Sequence, residues 1–326
     1  MTGHPVITVL SKNLNDRPPH LDRLDGRAQV RITDAAGLDS SLRGAHVLFL
    51  WDFFSTALRD AWSSCDALQW VHVAAAGVDS LMFPELSASD IMVTNARGVF
   101  DRPIAEYVLG AVLAHAKQTH RSAELQREHV WQHRETTTVN GAIAAVVGTG
   151  AIGRECAHLL RAVGMQVRGF GRTARSGDPD FGDVLASADV AEHVGDVDYL
   201  VVVAPLTDQT RGLVDARVLA ALPARAHLIN VGRGESVLTD DLIAALNAGR
   251  LDGASLDVVD PEPLPVDSPL WDIPGVRITP HMSGDAKGWL EALALQFVDN
   301  AERWLDAGPL LNVVDTRLGY VPARPS

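Results

Sequence analysis

Short apolar runs alternate with amphipathic segments along most of the chain, and this pattern predicts an α/β protein with largely parallel sheets. Five strands are expected before position 100 and six after position 140, with helices or loops between them. The predicted strands are Val6–Leu10, Gln29–Ile32, Val47–Leu50, Trp70–Val73, Met92–Thr94, the run that begins at Ala142, Gln166–Phe170, Tyr199–Val203, Leu228–Val231, Ala254–Val258 and Val276–Thr279.

Two helical stretches set the expected domain boundaries. One begins at Pro103, a residue favoured in a first helical turn, and leads into the polar segment 117–140. The other covers about 288–307 and has apolar residues at helical spacing, so we expect it to pack back on the first set of strands. We therefore predict a discontinuous substrate-binding domain, 1–102 with 285–326, and a doubly wound dinucleotide-binding domain, 103–284.

The run from Ala142 ends in three glycines, Gly148, Gly150 and Gly153, spaced as G-x-G-x-x-G. A helical pattern follows at once and is closed by Gly164, so the glycines lie between a strand and a helix. In that context they permit a tight turn and let the backbone approach a pyrophosphate at the helix N-terminus. The alternative is a glycine-rich connection in an ordinary α/β domain.

Composition excludes several classes of protein. The net charge of −13 and the lack of a basic patch disfavour binding to nucleic acid or an anionic membrane. Two cysteines, Cys65 and Cys156, are too few for a disulfide framework or a zinc cluster, so no metal is expected. The N-terminus lacks a signal-peptide pattern and no apolar run is long enough to span a membrane, so we expect a cytoplasmic protein.

Three loops after late strands carry residues suited to chemistry. Arg233 lies between two glycines and can bind a carboxylate with parallel hydrogen bonds. Glu262 lies between two prolines, and His281 follows the last predicted strand. Alone, each residue would suit an ordinary role, namely a surface salt bridge, a solvated carboxylate and a capping or core histidine. Together, beside a dinucleotide site, they predict hydride transfer to a 2-oxo acid, with His281 as the proton donor.

These segments resemble the D-isomer-specific 2-hydroxyacid dehydrogenase family. The matching stretches are VVGTGAIGRE (146–155), APLTDQTRGLV (204–214), LINVGRGESVLTDDLIAAL (228–246), GRLDGASLDVVDPEPLP (249–265) and ITPHMSG (278–284), with weaker matches at AAAGVDSL (74–81) and PIAEYVLG (103–110). The resemblance implies a Rossmann cofactor domain and a flavodoxin-like substrate domain.

The resemblance also implies roles for single residues. Arg233, Glu262 and His281 correspond to the catalytic residues, and Ala75, Ala76 and Gly77 to a loop whose backbone binds the substrate carboxylate. Asp257 corresponds to the residue that contacts the nicotinamide amide. The further implied cofactor contacts are Ala151, Ile152, Pro205, Thr210, Val231, Gly232, Ser283 and Gly284. A homodimer paired through 103–140 is implied, in which Trp131 either reaches the partner's active site or lies in the dimer core.

The end of the second strand of the cofactor domain departs from the common pattern. NAD-using members carry an acidic residue there, whereas this chain has Gly171, followed by Arg172, Thr173 and Arg175. These residues could bind the 2′-phosphate of NADP(H), which we expect to be preferred over NAD(H). A flexible basic turn that accepts either cofactor is the alternative. Glyoxylate/hydroxypyruvate reductases are similar here, which favours reduction as the physiological direction.

Rival functions remain open at this stage. Within the family these are an NAD-dependent D-2-hydroxyacid dehydrogenase and a short-form phosphoglycerate dehydrogenase. Formate dehydrogenases carry Gln in place of Glu262, which argues against that function here. A non-catalytic, nucleotide-sensing corepressor could keep the same residues. The substrate side chain is not identified, and bulky residues are candidates for its pocket: Trp51, Phe53, Phe54, Trp131 and Met282.

Overall fold

The structure is a computed structural model that describes residues 3–322. It divides into two compact units, 1–100 with 287–326, and 101–286. Each boundary lies two residues from the corresponding limit of the domains expected from sequence. The assignment of substrate and cofactor binding to the two units stays a prediction.

The first unit contains a parallel five-stranded sheet. Its strands are β1 (Val6–Leu10), β2 (Gln29–Thr33), β3 (Val47–Leu50), β4 (Trp70–Val73) and β5 (Met92–Asn95). Their order in the sheet is β2-β1-β3-β4-β5, and every neighbouring pair is parallel. This is the strand order of the flavodoxin-like fold, so the predicted class of this unit is confirmed.

Short helices connect these strands, and a long C-terminal helix completes the unit. The α-helices are α1 (Leu38–Leu42), α2 (Ala57–Asp60), α3 (Pro84–Ser87) and α9 (Trp289–Leu305), with 3-10 turns at Leu21–Leu24, Trp62–Ser64 and Asp79–Leu81. Phe297 of α9 stacks on Phe49 of β3, with the ring centroids 3.9 Å apart, and also contacts Trp70. The helix therefore belongs to the core of this unit, as its apolar spacing predicted.

The second unit contains an eight-stranded sheet. Its strands are β6 (Ile143–Val147), β7 (Gln166–Gly171), β8 (Arg175–Asp178), β9 (Gly182–Ala186), β10 (Tyr199–Val202), β11 (His227–Asn230), β12 (Gly253–Leu256) and β13 (Val276–Ile278). The order is β13-β12-β11-β10-β6-β7-β9-β8, and only β8 runs antiparallel to its neighbour. The hairpin formed by β8 and β9 was not predicted.

Two helices precede the first strand of this sheet, and three connect its strands. They are α4 (Asp101–Ala116), α5 (Thr119–Arg127), α6 (Ala151–Ala162), α7 (Ala216–Ala221) and α8 (Thr239–Asn247), with 3-10 turns at Ser187–Glu192, Gly234–Ser236 and Pro269–Trp271. The sequence pattern treated 117–140 as a polar connection and missed α5. In the described part of the chain no helix is both long and apolar enough to cross a membrane.

Strand order reverses between β6 and β10. From β6 the chain adds strands on one side, through β7 to β9, and then returns to place β10 on the other side. In open parallel sheets of this kind, ligands bind beyond the carboxyl ends of the strands at such a reversal. The loops after β6, β10, β11, β12 and β13 leave this same edge, because all five strands are parallel.

Candidate active site

The glycine turn after β6 is closely packed on one side and open on the other. A Cβ on Gly148, which has φ +113°, would lie 2.7 Å from the amide nitrogen of Ala204, at the end of β10. A Cβ on Gly153 would overlap the carbonyl oxygen of Gly148. A Cβ on Gly150, the residue that precedes α6, would meet no atom within 4 Å. The turn thus leaves an open face at the start of a helix of 12 residues, where a pyrophosphate fits.

Two other predicted cofactor residues lie beside this turn, at the end of β11. The amide of Val231 donates to the carbonyl of Val202, which continues the pairing with β10. A Cβ on Gly232 would lie 2.9 Å from the carbonyl oxygen of Ala204. The backbones of the loops after β6, β10 and β11 are therefore in close contact, because Gly148 and Gly232 have no side chain to separate them from Ala204.

Arg233 follows in the β11 loop and is held by its neighbours. Nδ2 of Asn230 donates to the Arg233 carbonyl over 2.9 Å, and Nη1 of Arg233 donates to the carbonyl of Gly232 over the same distance. A Cβ on the next residue, Gly234, would overlap the backbone of Val259. The loop of Arg233 thus lies directly against the loop that carries Glu262.

Glu262 and His281 form a hydrogen-bonded pair. Oε2 of Glu262 lies 2.9 Å from Nδ1 of His281, and Oε1 of Glu262 accepts the amide of Val259 over 3.1 Å. Burial raises the pKa of the Glu262 carboxyl, but the hydrogen bond and charge of His281, the Val259 amide and the charge of Arg233 together bring it below its usual value. Glu262 is therefore ionised at neutral pH and accepts only, so Nδ1 of His281 is the donor.

A buried carboxylate, Asp257, holds the loop that carries His281. Its Oδ1 accepts the hydroxyl of Thr279 over 2.6 Å and the amide of Met282 over 3.0 Å, while Oδ2 accepts the amide of Ser283 over 2.9 Å. The amide of His281 donates to the backbone carbonyl of Asp257 over 2.8 Å. These bonds maintain His281 at φ +52°, a conformation that few side chains adopt.

The end of β7 is crowded around Gly171. A Cβ there would lie 3.0 Å from Oγ1 of Thr149 and 3.1 Å from Nη1 of Arg175. Nη2 of Arg175 donates to that Thr149 hydroxyl over 3.0 Å, so a cation from β8 lies against the glycine turn. Arg172 and Thr173 are exposed in the connection between β7 and β8.

The remaining predicted site residues have diverse environments. Pro205 is exposed after β10, and its carbonyl accepts the hydroxyl of Thr210 over 2.7 Å. Ala151 and Ile152 begin α6, and Gly284 is buried after the His281 loop. In the first unit, the loop Ala75, Ala76 and Gly77 follows β4 and is held through its carbonyl groups, since Asn95 donates to Ala76 and Ala96 to Ala75.

The bulky candidates for a substrate pocket also differ. Trp51 is buried and donates to Asp16 over 3.2 Å, and Phe53 packs on Trp289, so both have structural contacts in the first unit. Phe54 is 60% exposed. In the second unit Trp131 is 93% exposed and Met282 is 48% exposed.

Sequence reasoning missed some residues that support the site. Thr279 bonds Tyr107 of α4 over 2.8 Å as well as Asp257, and Asp178 binds Arg154 and Arg175. The only local signal for Thr279 was its position before a predicted active-site histidine. Within residues 3–322, no group of three or more His, Cys, Asp or Glu side chains is arranged to hold a metal ion.

Comparison with known proteins identifies the family of the chain. Residues 109–283 match the family model described as D-isomer specific 2-hydroxyacid dehydrogenase, NAD binding domain. A glyoxylate/hydroxypyruvate reductase A of Klebsiella pneumoniae is 30% identical over 260 residues, which cover 78% of this chain and 82% of that protein.

Solved structures are similar over nearly the whole chain. The NADPH-dependent glyoxylate/hydroxypyruvate reductase of Sinorhizobium meliloti, in complex with NADP and sulfate, has a TM-score of 0.83 at 28% identity and covers 98% of this chain and 100% of its own. A D-isomer specific 2-hydroxyacid dehydrogenase of Xanthobacter autotrophicus, in complex with NADPH and MES, has a TM-score of 0.79 at 29% identity, with 98% and 100% covered.

The chain belongs to the D-isomer specific 2-hydroxyacid dehydrogenase family. It is accordingly an NAD(P)-dependent oxidoreductase, and the resemblance noted in its sequence is confirmed.

Proposed function

We propose that the protein reduces a 2-oxo acid to the D-2-hydroxy acid with NADPH. The observation that carries the proposal is the hydrogen-bonded pair of Glu262 and His281. The loops that carry these two residues leave the same edge of the sheet as the glycine turn after β6. A proton donor beside a dinucleotide site is what carbonyl reduction requires. Relatives named glyoxylate/hydroxypyruvate reductase point to small 2-oxo acids of that kind as substrates.

The chain's own residues have distinct roles in this proposal. A bound nicotinamide supplies the hydride to C2 of the substrate. Arg233 binds the substrate carboxylate and polarises the carbonyl through its planar guanidinium. His281, held through Nδ1 by Glu262, donates a proton from Nε2 to the carbonyl oxygen as negative charge develops there. The Glu262 carboxylate accepts from Nδ1 and so fixes the orientation of the imidazole ring.

The residues around the glycine turn fit a dinucleotide. Gly148 and Gly153 are positions where any side chain would collide with backbone, while Gly150 is open. Gly150, Ala151 and Ile152 would hold the pyrophosphate at the start of α6. Asp257, with Oδ2 engaged by a single described amide, would hold the nicotinamide amide. Pro205, Thr210, Val231, Gly232, Ser283 and Gly284 complete the proposed cofactor contacts.

The proposed preference for NADPH rests on the end of β7. No carboxylate occupies position 171, so none repels a 2′-phosphate, and Arg172, Thr173 and Arg175 offer donors nearby. The structural relatives solved with NADP or NADPH support the same preference. NADH would bind more weakly because it lacks the phosphate that these residues contact.

Initial rates test the proposal. Purified protein is assayed with NADPH and with NADH against glyoxylate, hydroxypyruvate, pyruvate, 2-oxoisocaproate, phenylpyruvate and phenylglyoxylate. The proposal expects NADPH oxidation with at least one of these acids and a higher kcat/KM for NADPH than for NADH. A protein that binds NADPH but turns over none of them would instead favour the nucleotide-sensing alternative.

We further propose that the protein is a homodimer through 103–140. After α5 the backbone extends through exposed residues, among them Val130 and Trp131, the latter 93% exposed. An exposed tryptophan beside an exposed valine is typical of an interaction surface. Light scattering after size-exclusion chromatography should give twice the chain mass of 34.9 kDa, and the variant Trp131→Ser should shift the equilibrium toward monomer. A monomeric wild-type protein at micromolar concentration would refute this.

A further inference from the structure

Asp178 is the buried centre of an ionic cluster that links helix α6 to the hairpin of β8 and β9 in the second unit. Its side chain is only 2% exposed. Oδ1 and Oδ2 accept Nη1 and Nη2 of Arg154 over 2.7 and 2.8 Å, a bidentate pair with the first turns of α6. Oδ2 also accepts Nε and Nη2 of Arg175 over 3.2 and 2.7 Å. One carboxylate therefore holds two arginines.

The carboxylate itself is fixed by its own turn. Oδ1 accepts the backbone amides of Asp180 over 3.1 Å and of Phe181 over 3.2 Å, which closes the turn between β8 and β9. The Phe181 ring is buried, and the guanidinium of Arg154 lies 5.8 Å from its centroid. The Arg154 guanidinium holds the pKa of Asp178 far below its usual value, so this carboxylate stays charged across the physiological range.

The consequence for Arg175 is a fixed position. Asp178 binds its Nε and Nη2, Thr149 of the glycine turn accepts from Nη2, and Nη1 lies toward Gly171. Nη1 of Arg175 therefore lies 3.1 Å from the place that a Cβ on residue 171 would take. Gly171 leaves room for this arrangement, because a Cβ there would lie 3.0 Å from Oγ1 of Thr149 and 3.1 Å from Nη1 of Arg175, so that both side chains would have to shift slightly.

We propose that Asp178 is a positioning residue for cofactor choice: it fixes Arg175 against Thr149 so that the guanidinium meets the 2′-phosphate of NADP(H). The inference rests on the proposed NADPH preference and names the residue that maintains it. Arg154 contributes by anchoring Asp178 to the helix whose N-terminus would bind the pyrophosphate, so both phosphate sites share one framework.

Two effects of Asp178 on phosphate binding oppose each other. Its negative charge partly offsets that of Arg175, which weakens attraction for a phosphate. Its hydrogen bonds remove rotamer freedom from a long side chain, and a pre-organised guanidinium binds phosphate with less entropy loss. Arg154 binds both Asp178 and Asp180, so it offsets only part of the Asp178 charge, and we expect orientation to be the larger contribution.

Binding measurements separate these effects without relying on turnover. Titration calorimetry with NADP⁺ and NAD⁺ gives the ratio of the two Kd values for wild type, Asp178→Asn and Asp180→Asn. Asp180 is the matched control, because it binds Arg154 and His158 from the same turn but makes no described contact with Arg175. We expect Asp178→Asn to lower the preference for NADP⁺ about tenfold, the scale of one charge-assisted pair, while Asp180→Asn retains it.

A second variant covers the case in which Asp178→Asn does not fold. Thr149→Val keeps the shape of the side chain and removes the hydroxyl that accepts from Arg175. This variant should lower the NADP⁺ preference about threefold, since one neutral acceptor is lost. If it also weakens binding of the pyrophosphate, NADP⁺ and NAD⁺ are affected equally, so the ratio of their Kd values is unchanged by that effect.

The outcomes distinguish the inference from the function on which it rests. A folded Asp178→Asn protein with an unchanged or higher preference for NADP⁺ would overturn the inference, as would Thr149→Val with an unchanged ratio where Asp178→Asn cannot be purified. A wild-type protein with equal Kd values for the two nucleotides would overturn the proposed cofactor preference itself.

Discussion

Oε2 of Glu262 lies 2.9 Å from Nδ1 of His281, although the two residues follow different strands, β12 and β13. The pairing is a consequence of parallel neighbours in one sheet, whose carboxyl ends meet at a common edge. It gives His281 a defined proton on Nδ1 and a defined orientation of its ring. This pair is the structural basis of the proposed acid catalysis.

Replacing His281 tests the proton donor. His281→Ala should leave Kd for the cofactor within about threefold of wild type and lower kcat for 2-oxo acid reduction by about 10²–10⁴, the usual share of general acid catalysis. Glu262→Gln should lower kcat by a smaller factor, because the imidazole remains. Stopped-flow measurement of NADPH oxidation checks both, and an unchanged rate in His281→Ala would exclude this residue as the acid.

Arg233→Lys tests whether the geometry of the guanidinium matters or only its charge. Lysine keeps the positive charge but cannot present two parallel N–H groups to a carboxylate. We expect kcat/KM for the oxo acid to fall by about 10²-fold or more, with Kd for the cofactor little changed. Steady-state kinetics over a range of oxo acid concentrations provides the measurement. A loss below threefold would show that Arg233 does not bind the substrate carboxylate.

Position 171 tests the cofactor preference directly. Gly171→Asp introduces a carboxylate that repels a 2′-phosphate and crowds Thr149 and Arg175, so NADPH should bind at least tenfold more weakly while NADH binding is retained or improved. Arg172→Ala should weaken NADPH binding more than NADH binding. Fluorescence titration with each nucleotide gives these Kd values, and equal effects on the two would contradict the phosphate site.

Much of the fold was predictable because its signals are local. Buried parallel strands such as β3, β4 and β10 read as continuous apolar runs, and G-x-G-x-x-G marks the turn after β6. Arg233, Glu262 and His281 could be proposed as site residues because each follows a predicted strand within a few positions. Their distances and partners could not be read from the sequence.

The missed elements lack periodic apolar patterns. In α5 Leu125 is the one buried residue among those described, so no apolar stripe marks the helix. The hairpin of β8 and β9 is rich in glycine and charged residues, so it shows no strand-like alternation. The position of Asp178 in an ionic cluster could not be predicted from its neighbours in the sequence, because its partner Arg154 lies 24 positions away.

The aromatic stack of the first unit should dominate its stability. Phe297 is fully buried between Phe49 and Trp70, so Phe297→Ala removes a large side chain from a close-packed core and should cost about 3–5 kcal/mol of unfolding free energy. Phe54→Ala is the control, because that ring is 60% exposed, and should cost less than about 1 kcal/mol. Urea unfolding followed by tryptophan fluorescence compares the two, and equal losses would contradict the packing described.

Asp178 predicts a particular dependence of stability on pH. Its folded-state pKa is depressed, first by the hydrogen bonds from Arg154, whereas an unfolded aspartate titrates near about 3.9. Its contribution is therefore fully present above that value and is lost as pH falls toward the folded-state pKa. The difference in Tm between wild type and Asp178→Asn should be constant from pH 8 to 5 and shrink below about pH 4. A difference that grows on acidification would contradict this assignment.

The stereochemistry of the product tests the central claim most directly. Wild-type protein is incubated with NADPH and hydroxypyruvate, and the glycerate formed is resolved by chiral chromatography. The account predicts D-glycerate, formed with one NADPH oxidised per product and about 10²–10⁴-fold more slowly in His281→Ala. L-glycerate, or NADPH oxidation at the wild-type rate in His281→Ala, would contradict it.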